Sequence, residues 1–153
     1  MAGKVNHIAE GYYTITPYLI IQGAAKAIDF YKKVFGAEEI MRMPDGNRIG
    51  HAELQIGNSK IMLADEYPEM GIRSPKSIGG SGVSLYIYVP DVDSVVANAT
   101  SSGAKIIKPV TDQFYGDRSG QIEDPFGHSW GVATHVEDVP PDEMQRRMAA
   151  QKK

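Results

Sequence analysis

Apolar and polar positions along this chain follow two periods, one of 3.6 residues and one of two. In Ala24–Phe35, residues Ala27, Ile28, Tyr31, Val34 and Phe35 keep the spacing of a helix with one buried face, and Gly36 supplies its stop. Thr14–Ile21 is β-branched and aromatic and reads as a strand, with Pro17 placing it at an edge or strand entry. Glu38–Met43 predicts a short strand and Pro44-Asp45-Gly46-Asn47 a turn. Arg48–Ile56 and Lys60–Asp65 then predict two strands around Gly57-Asn58. Residues 66–82 hold two Pro and four Gly without periodicity, and read as a linker long enough to cover a site.

The second half repeats the plan. Val83–Val89 predicts a strand, Asp91 with Asp93 opens a helix running to Ser102, and Lys105–Lys108 predicts a strand. Pro109–Ser119 reads as a loop, and Gly120–Glu123 with Ser129–His135 as a hairpin around Asp124-Pro125-Phe126-Gly127. Pro140-Pro141-Asp142-Glu143 suits the first turn of a last helix, with Met144 and Met148 on one face. Laid over one another at an offset of 67, residues 19–40 and 86–107 match Gly36-Ala37 to Gly103-Ala104, Ile28 to Val95 and Ile40 to Ile107. A second echo, at an offset of 70, matches Gly57-Asn58-Ser59 to Gly127-His128-Ser129. The pattern therefore predicts an α+β fold of two tandem βαβββ modules, residues 14–66 and 83–136. A linker at 67–82 joins them, a tail follows at 137–153, and residues 1–13, with His7, form a polar arm. Folds built from two such halves tend to place a ligand cavity between them.

Composition narrows the function. The 153 residues suffice for one domain, or two small halves, and 42% hydrophobic with 23% charged residues is ordinary for a globular protein. A net charge of −3 gives no electrostatic reason to expect nucleic acid or an anionic membrane as partner. No apolar run approaches the roughly 18–20 residues that span a bilayer. The N-terminus lacks the apolar centre of a signal peptide, so a cytoplasmic location is expected. The absence of cysteine excludes disulfides, thiolate catalysis and Cys-based zinc sites.

The duplicated module, with IDFYKKVFGAE at 28–38 and EDPFGH at 123–128, resembles the vicinal oxygen chelate superfamily, which contains glyoxalase I, bleomycin-resistance proteins and extradiol dioxygenases. It is most similar to the PhnB-like branch, through PYL at 17–19, FYKKVFGAE at 30–38, HAELQIGNSKIML at 51–63 and EDPFGHSWGVATHVEDV at 123–139. The resemblance covers about residues 14–139. It implies a curled mixed sheet around a central cavity, with the helices on the convex face. It also implies four metal-ligand positions, falling on Thr16, on Ile61 or Met62, on Ser84 and on Gly131. None of these offers the imidazole or carboxylate that divalent metals take at roughly 2.0–2.2 Å. The expectation is thus no metal cofactor. A relocated divalent site from His51, Glu53 and His128 is the alternative.

Strand alternation then assigns the cavity face. If Thr16 points inward, so do Tyr18 and Ile20, and if Ser84 does, so do Tyr86 and Tyr88. With Met62 and Gly131 these residues are the expected ligand-binding set, although such aromatics could equally fill a sheet interior. Phe114 and Arg118 could reach a ligand from a loop above the cavity, with Asp117 beside Arg118 read as its surface partner. His51, Glu53 and Gln55 share one strand face, and the His51–Glu53 pair is the first choice for an acid–base group; a solvated edge strand is the plain alternative. His128 reads mainly as a turn residue, His135 as an inward or strand-end residue, and Trp130 as core. Two functions remain open. The first is a metal-independent protein binding a small aromatic or polar molecule, resembling the bleomycin-resistance type. The second is an enzyme, a lyase, isomerase or dioxygenase with relocated ligands or a His51–Glu53 acid–base pair. The resemblance also implies a homodimer, possibly with exchanged modules.

Overall fold

The computed structural model of the chain describes residues 3–151. Two compact units meet in the chain between Ser77 and Ile78. The first contains β1 (Tyr18–Ile21), α1 (Ala24–Phe35), β2 (Glu38–Asp45), β3 (Arg48–Ile56) and β4 (Ser59–Asp65). Its sheet has the order β1-β4-β3-β2, with β1 parallel to β4 and the other pairs antiparallel. A 3-10 turn at Pro68–Met70 and the short α2 (Pro75–Ile78) follow. The second unit contains β5 (Ser84–Tyr88), α3 (Val92–Ser101), β6 (Lys105–Asp112), β7 (Asp117–Glu123), β8 (Ser129–His135) and α4 (Pro141–Gln151). Its sheet order, β5-β8-β7-β6, is that of the first. The βαβββ module is present twice, each copy with its own four-stranded mixed sheet.

In the first unit α1 buries Ala24, Ala27, Ile28, Phe30, Tyr31 and Val34. They pack with Leu19, Ile21, Ala52, Leu54 and Leu63, the strand residues of alternate parity, which are also buried. Each such Leu or Ile contributes about 1.5–3 kcal/mol by leaving water, so this one face supplies the core and frees the other for polar groups. The helix ends where Gly36 turns left-handed, at φ 66°. Its start has no capping side chain of its own, because Gly23 stands there. The carboxylate of Asp65, at the end of β4, takes over: it accepts the N–H groups of Gly23 (3.0 Å), Ala24 (2.9 Å) and Ile49 (2.7 Å). In α3 the cap is local, with Asp91 accepting from Ser94 N–H at 3.2 Å.

Several boundaries differ from the sequence pattern. The first strand begins at Tyr18 and not at Thr14, because Pro17 has no N–H and joins the ladder only through its carbonyl, which accepts from Met62. β2 runs through Pro44 to Asp45, leaving Gly46-Asn47 as the turn; at a sheet edge a proline costs no ladder bond. β6 likewise continues past Pro109 to Asp112, with irregular pairing between Lys108 and Thr111. β7 starts at Asp117, so the expected loop over 109–119 shrinks to a short connection and Asp117 and Arg118 are strand residues.

Candidate functional site

On the first sheet, strand register gathers one set of side chains on the face opposite α1. Tyr18 and Glu53 both pair with Met62 across neighbouring strands, and His51 lies two residues before Glu53. The Tyr18 hydroxyl lies 2.7 Å from His51 Nδ1, and His51 Nε2 lies 2.8 Å from Glu53 Oε2. An ionised carboxylate only accepts, so in the neutral imidazole the proton sits on Nε2 toward Glu53 and Nδ1 is the acceptor for the Tyr18 O–H. Burial holds the Tyr18 phenol above its ordinary pKa, so the group is protonated at neutral pH. Of the three, Tyr18 reaches outward, with 47% of its surface exposed. It lines a pocket of 400 Å³ together with Ile20, Gly50, Ala64, Met70 and Ile72. Asp45, Asp65 and Tyr67 complete the wall. The Tyr67 hydroxyl donates to Asp45 at 2.8 Å, and the Arg48 guanidinium lies over the Tyr67 ring while pairing with Glu69 at 2.6 Å. The segment read as a linker thus folds into a bridged turn between Tyr67 and Ile72 that forms one side of this pocket.

The second sheet carries a different network. Tyr86 and Tyr88 donate to Asp117 Oδ2 at 2.9 and 3.1 Å, and His135 Nδ1 meets Asp117 Oδ1 at 2.8 Å. His135 Nε2 reaches Asp138 at 2.7 Å. Asp117 is only 4% exposed. Burial alone would push its carboxyl up, but the hydrogen bonds from His135, Tyr86 and Tyr88 outweigh it and hold the group below the usual carboxylate range. Burial, then the bond to Asp117, raises the Tyr86 phenol; for Tyr88 the bond to Asp117 is the larger cause. The bonds to Asp117 and then Asp138 raise the His135 imidazole. Asp117 is the residue that sequence reasoning missed. It is not the partner of Arg118, which by strand alternation points the other way and pairs with Asp93 (2.8 Å) and Asp112 (3.2 Å). That engagement occupies Arg118 on the α3 side, away from Tyr86 and Tyr88.

The remaining candidates are dispersed. Thr16 precedes β1, Ile61 is buried on the α1 face, and Met62 lies on the Tyr18 face. Ser84 lies 3.2 Å from the Ser129 hydroxyl, and Phe114 offers its carbonyl to Arg147 of α4 at 3.2 Å. His128 donates its backbone N–H to Asp124, the buried carboxylate that also takes the Phe126 N–H and the Trp130 indole N–H. His7 lies in the segment before β1. Across the β5–β8 pairing, Tyr86 sits opposite Gly131, and a Cβ built on Gly131 would stand 2.6 Å from the Tyr86 ring. The space a longer side chain would need is filled by that ring. A divalent metal does not fit the four implied positions: Thr16 and Ser84 offer weak hydroxyls, Met62 a soft sulfur, and Gly131 nothing. Among the described residues no three His, Asp or Glu side chains are gathered to hold a metal elsewhere.

The fold agrees with comparison to known proteins. The uncharacterized protein Mb0911c of Mycobacterium bovis is 42% identical over 142 residues, covering 90% of this chain and 93% of its own length. The X-ray structure of the Arabidopsis thaliana At5g48480 product matches with a TM-score of 0.66 and 28% identity, over 80% of this chain and 98% of that one. The PhnB protein of Bacillus cereus shares the fold, with a TM-score of 0.64 and 21% identity over 80% of this chain and 99% of that one. A family model matches residues 4–132, and by it this chain belongs to the Glyoxalase/Bleomycin resistance protein/Dioxygenase superfamily.

Proposed function

We propose that the protein binds a small molecule, aromatic or otherwise mostly apolar with a few polar groups, and does so without a metal ion. The observation that carries this reading is the 400 Å³ pocket beside Tyr18, walled by aliphatic and thioether groups with a few convergent polar atoms. No lysine or arginine lines it, while the Asp45 carboxylate does, so a neutral or cationic ligand is favoured over an anion. Tyr86 and Tyr88 add a second aromatic surface, whose hydroxyls are already committed to Asp117 and whose ring faces remain for stacking.

The test is thermal stabilisation of chelator-treated protein by a panel of neutral, cationic and anionic aromatic compounds. A ligand at a hundred times its Kd stabilises by about 2.7 kcal/mol, a shift easily read. Neutral or cationic members should raise the melting temperature, and Ile72→Trp, which fills the pocket wall, should abolish the rise. Stabilisation that requires added Zn, Mn, Ni or Fe, or that survives Ile72→Trp unchanged, overturns the reading.

A further inference from the structure

We propose that Tyr18 is a nucleophilic group whose proton is taken by His51, with Glu53 positioning the histidine, so that the pocket can react with an uncharged electrophile as well as hold one. The argument starts from His51. Both its nitrogens are engaged, Nδ1 with Tyr18 and Nε2 with Glu53, so the imidazole has no nitrogen left for a ligand. The outer end of the chain is the Tyr18 oxygen, and Tyr18, not His51 or Glu53, lines the pocket. The order carboxylate, imidazole, hydroxyl is that of a base-activated nucleophile, with a phenol as the attacking group.

Tyr18 is protonated at rest, so no phenolate is stored; the proton leaves as the new bond forms. With an aryl sulfonyl fluoride, the Tyr18 oxygen bonds to sulfur, the S–F bond breaks and fluoride departs with its electron pair. The phenolic proton passes to His51 Nδ1, and the resulting imidazolium keeps its Nε2–H on the Glu53 carboxylate. The Asp45 carboxylate in the wall disfavours anions, which points to neutral or cationic electrophiles with an apolar body and a leaving group.

The second unit provides an internal control. Tyr86 and Tyr88 are 50% and 62% exposed, both more than Tyr18, and also carry hydrogen-bonded hydroxyls. Their acceptor, however, is an aspartate, a far weaker base than imidazole, with ordinary pKa values of about 3.9 and 6.5. Tyr13 is 73% exposed. Exposure alone therefore ranks Tyr13 and Tyr88 ahead of Tyr18, whereas base assistance ranks Tyr18 first.

The experiment treats the full chain with an uncharged aryl sulfonyl fluoride and maps the adduct among the eight tyrosines by peptide mass spectrometry. Tyr18 should label first, and Tyr18→Phe should remove that adduct. His51→Gln should slow Tyr18 labelling by about 10²–10⁴, the usual effect of losing a general base, and Glu53→Gln should slow it less. The pH profile separates a base from a structural prop. In His51→Gln the rate should follow phenol ionisation alone and climb steeply through alkaline pH, whereas in the parent, with its base in place, it should depend less steeply on pH there. Circular dichroism and denaturation midpoints confirm that the variants are folded. First labelling at Tyr13 or Tyr88, or a folded His51→Gln protein that labels Tyr18 at the parent rate, overturns the proposal. Ligand binding is read separately by melting temperature, so either proposal can fail while the other stands.

Discussion

Replacing Gly131 by alanine adds one methyl group at a point where the structure has no room for it. Its Cβ would stand 2.6 Å from Tyr86 Cδ2 and 3.1 Å from Cε2. Contacts under 3 Å force movement, and the atoms met are the near edge of a ring fixed at both ends. The Tyr86 backbone is held in the β5–β8 ladder and its hydroxyl donates to Asp117. Forced repacking of this kind costs about 1–3 kcal/mol. If the ring swings clear, the lost bond to an ionised carboxylate costs a further 1.5–3 kcal/mol or so, although half of the ring is already exposed and can move outward. A net loss of about 2 kcal/mol is expected, toward the lower end of the combined range. Trp130, the one tryptophan of the chain, is buried beside Gly131, so its fluorescence during urea unfolding reports on the second unit. The same substitution in a Tyr86→Ala background should be nearly free, since the clashing ring is gone, and the cycle isolates the pair. A Gly131→Ala protein within about 0.5 kcal/mol of the parent, or a penalty that persists without the ring, refutes the account of why no side chain stands there.

Two further outcomes follow from the electrostatics. His135 has its imidazole pKa raised by Asp117 and then by Asp138, so the protonated form is favoured by folding. Its contribution to stability is complete below the unfolded value near pH 6.5 and fades as the pH rises through the higher folded one; urea midpoints between pH 6 and 9 should fall in the parent and stay flatter in His135→Gln. A parent midpoint that rises over that range contradicts the sign. Asp65→Ala strips the carboxylate from three backbone N–H groups at the starts of α1 and β3 and should cost about 2–3 kcal/mol, read by hydrogen exchange at Ala24 and Ile49. Unchanged protection at both amides would show that the cap is dispensable.

Much of the fold was legible because it rests on local signals. α1 spans the predicted residues since its period and its closing glycine are both written within one segment. The duplicated element order was legible for the same reason, as were the Asp91 cap and the burial of Trp130. The strands beyond prolines were not, because whether Pro44 and Pro109 end a strand depends on whether that strand lies at an edge, a property of the whole sheet. The site divides in the same way. His51 and Glu53 meet because alternation puts residues two apart on one face. Tyr18 joins them only through the parallel pairing of β1 with β4, from 33 positions away in sequence. Asp117 was misread because a buried aspartate looks like a solvated one until its partners are known, and those come from β5 and β8.

Each polar network closes on itself: tyrosine, histidine and glutamate in one copy, two tyrosines, aspartate and histidine in the other. Every partner named in these two networks belongs to the same repeat as the network itself. A substitution within one network therefore removes none of the hydrogen bonds named in the other, so the polar face of each module can be altered by itself. The two halves thus carry unlike chemistries on a common scaffold, a phenol against imidazole in one and phenols against carboxylate in the other.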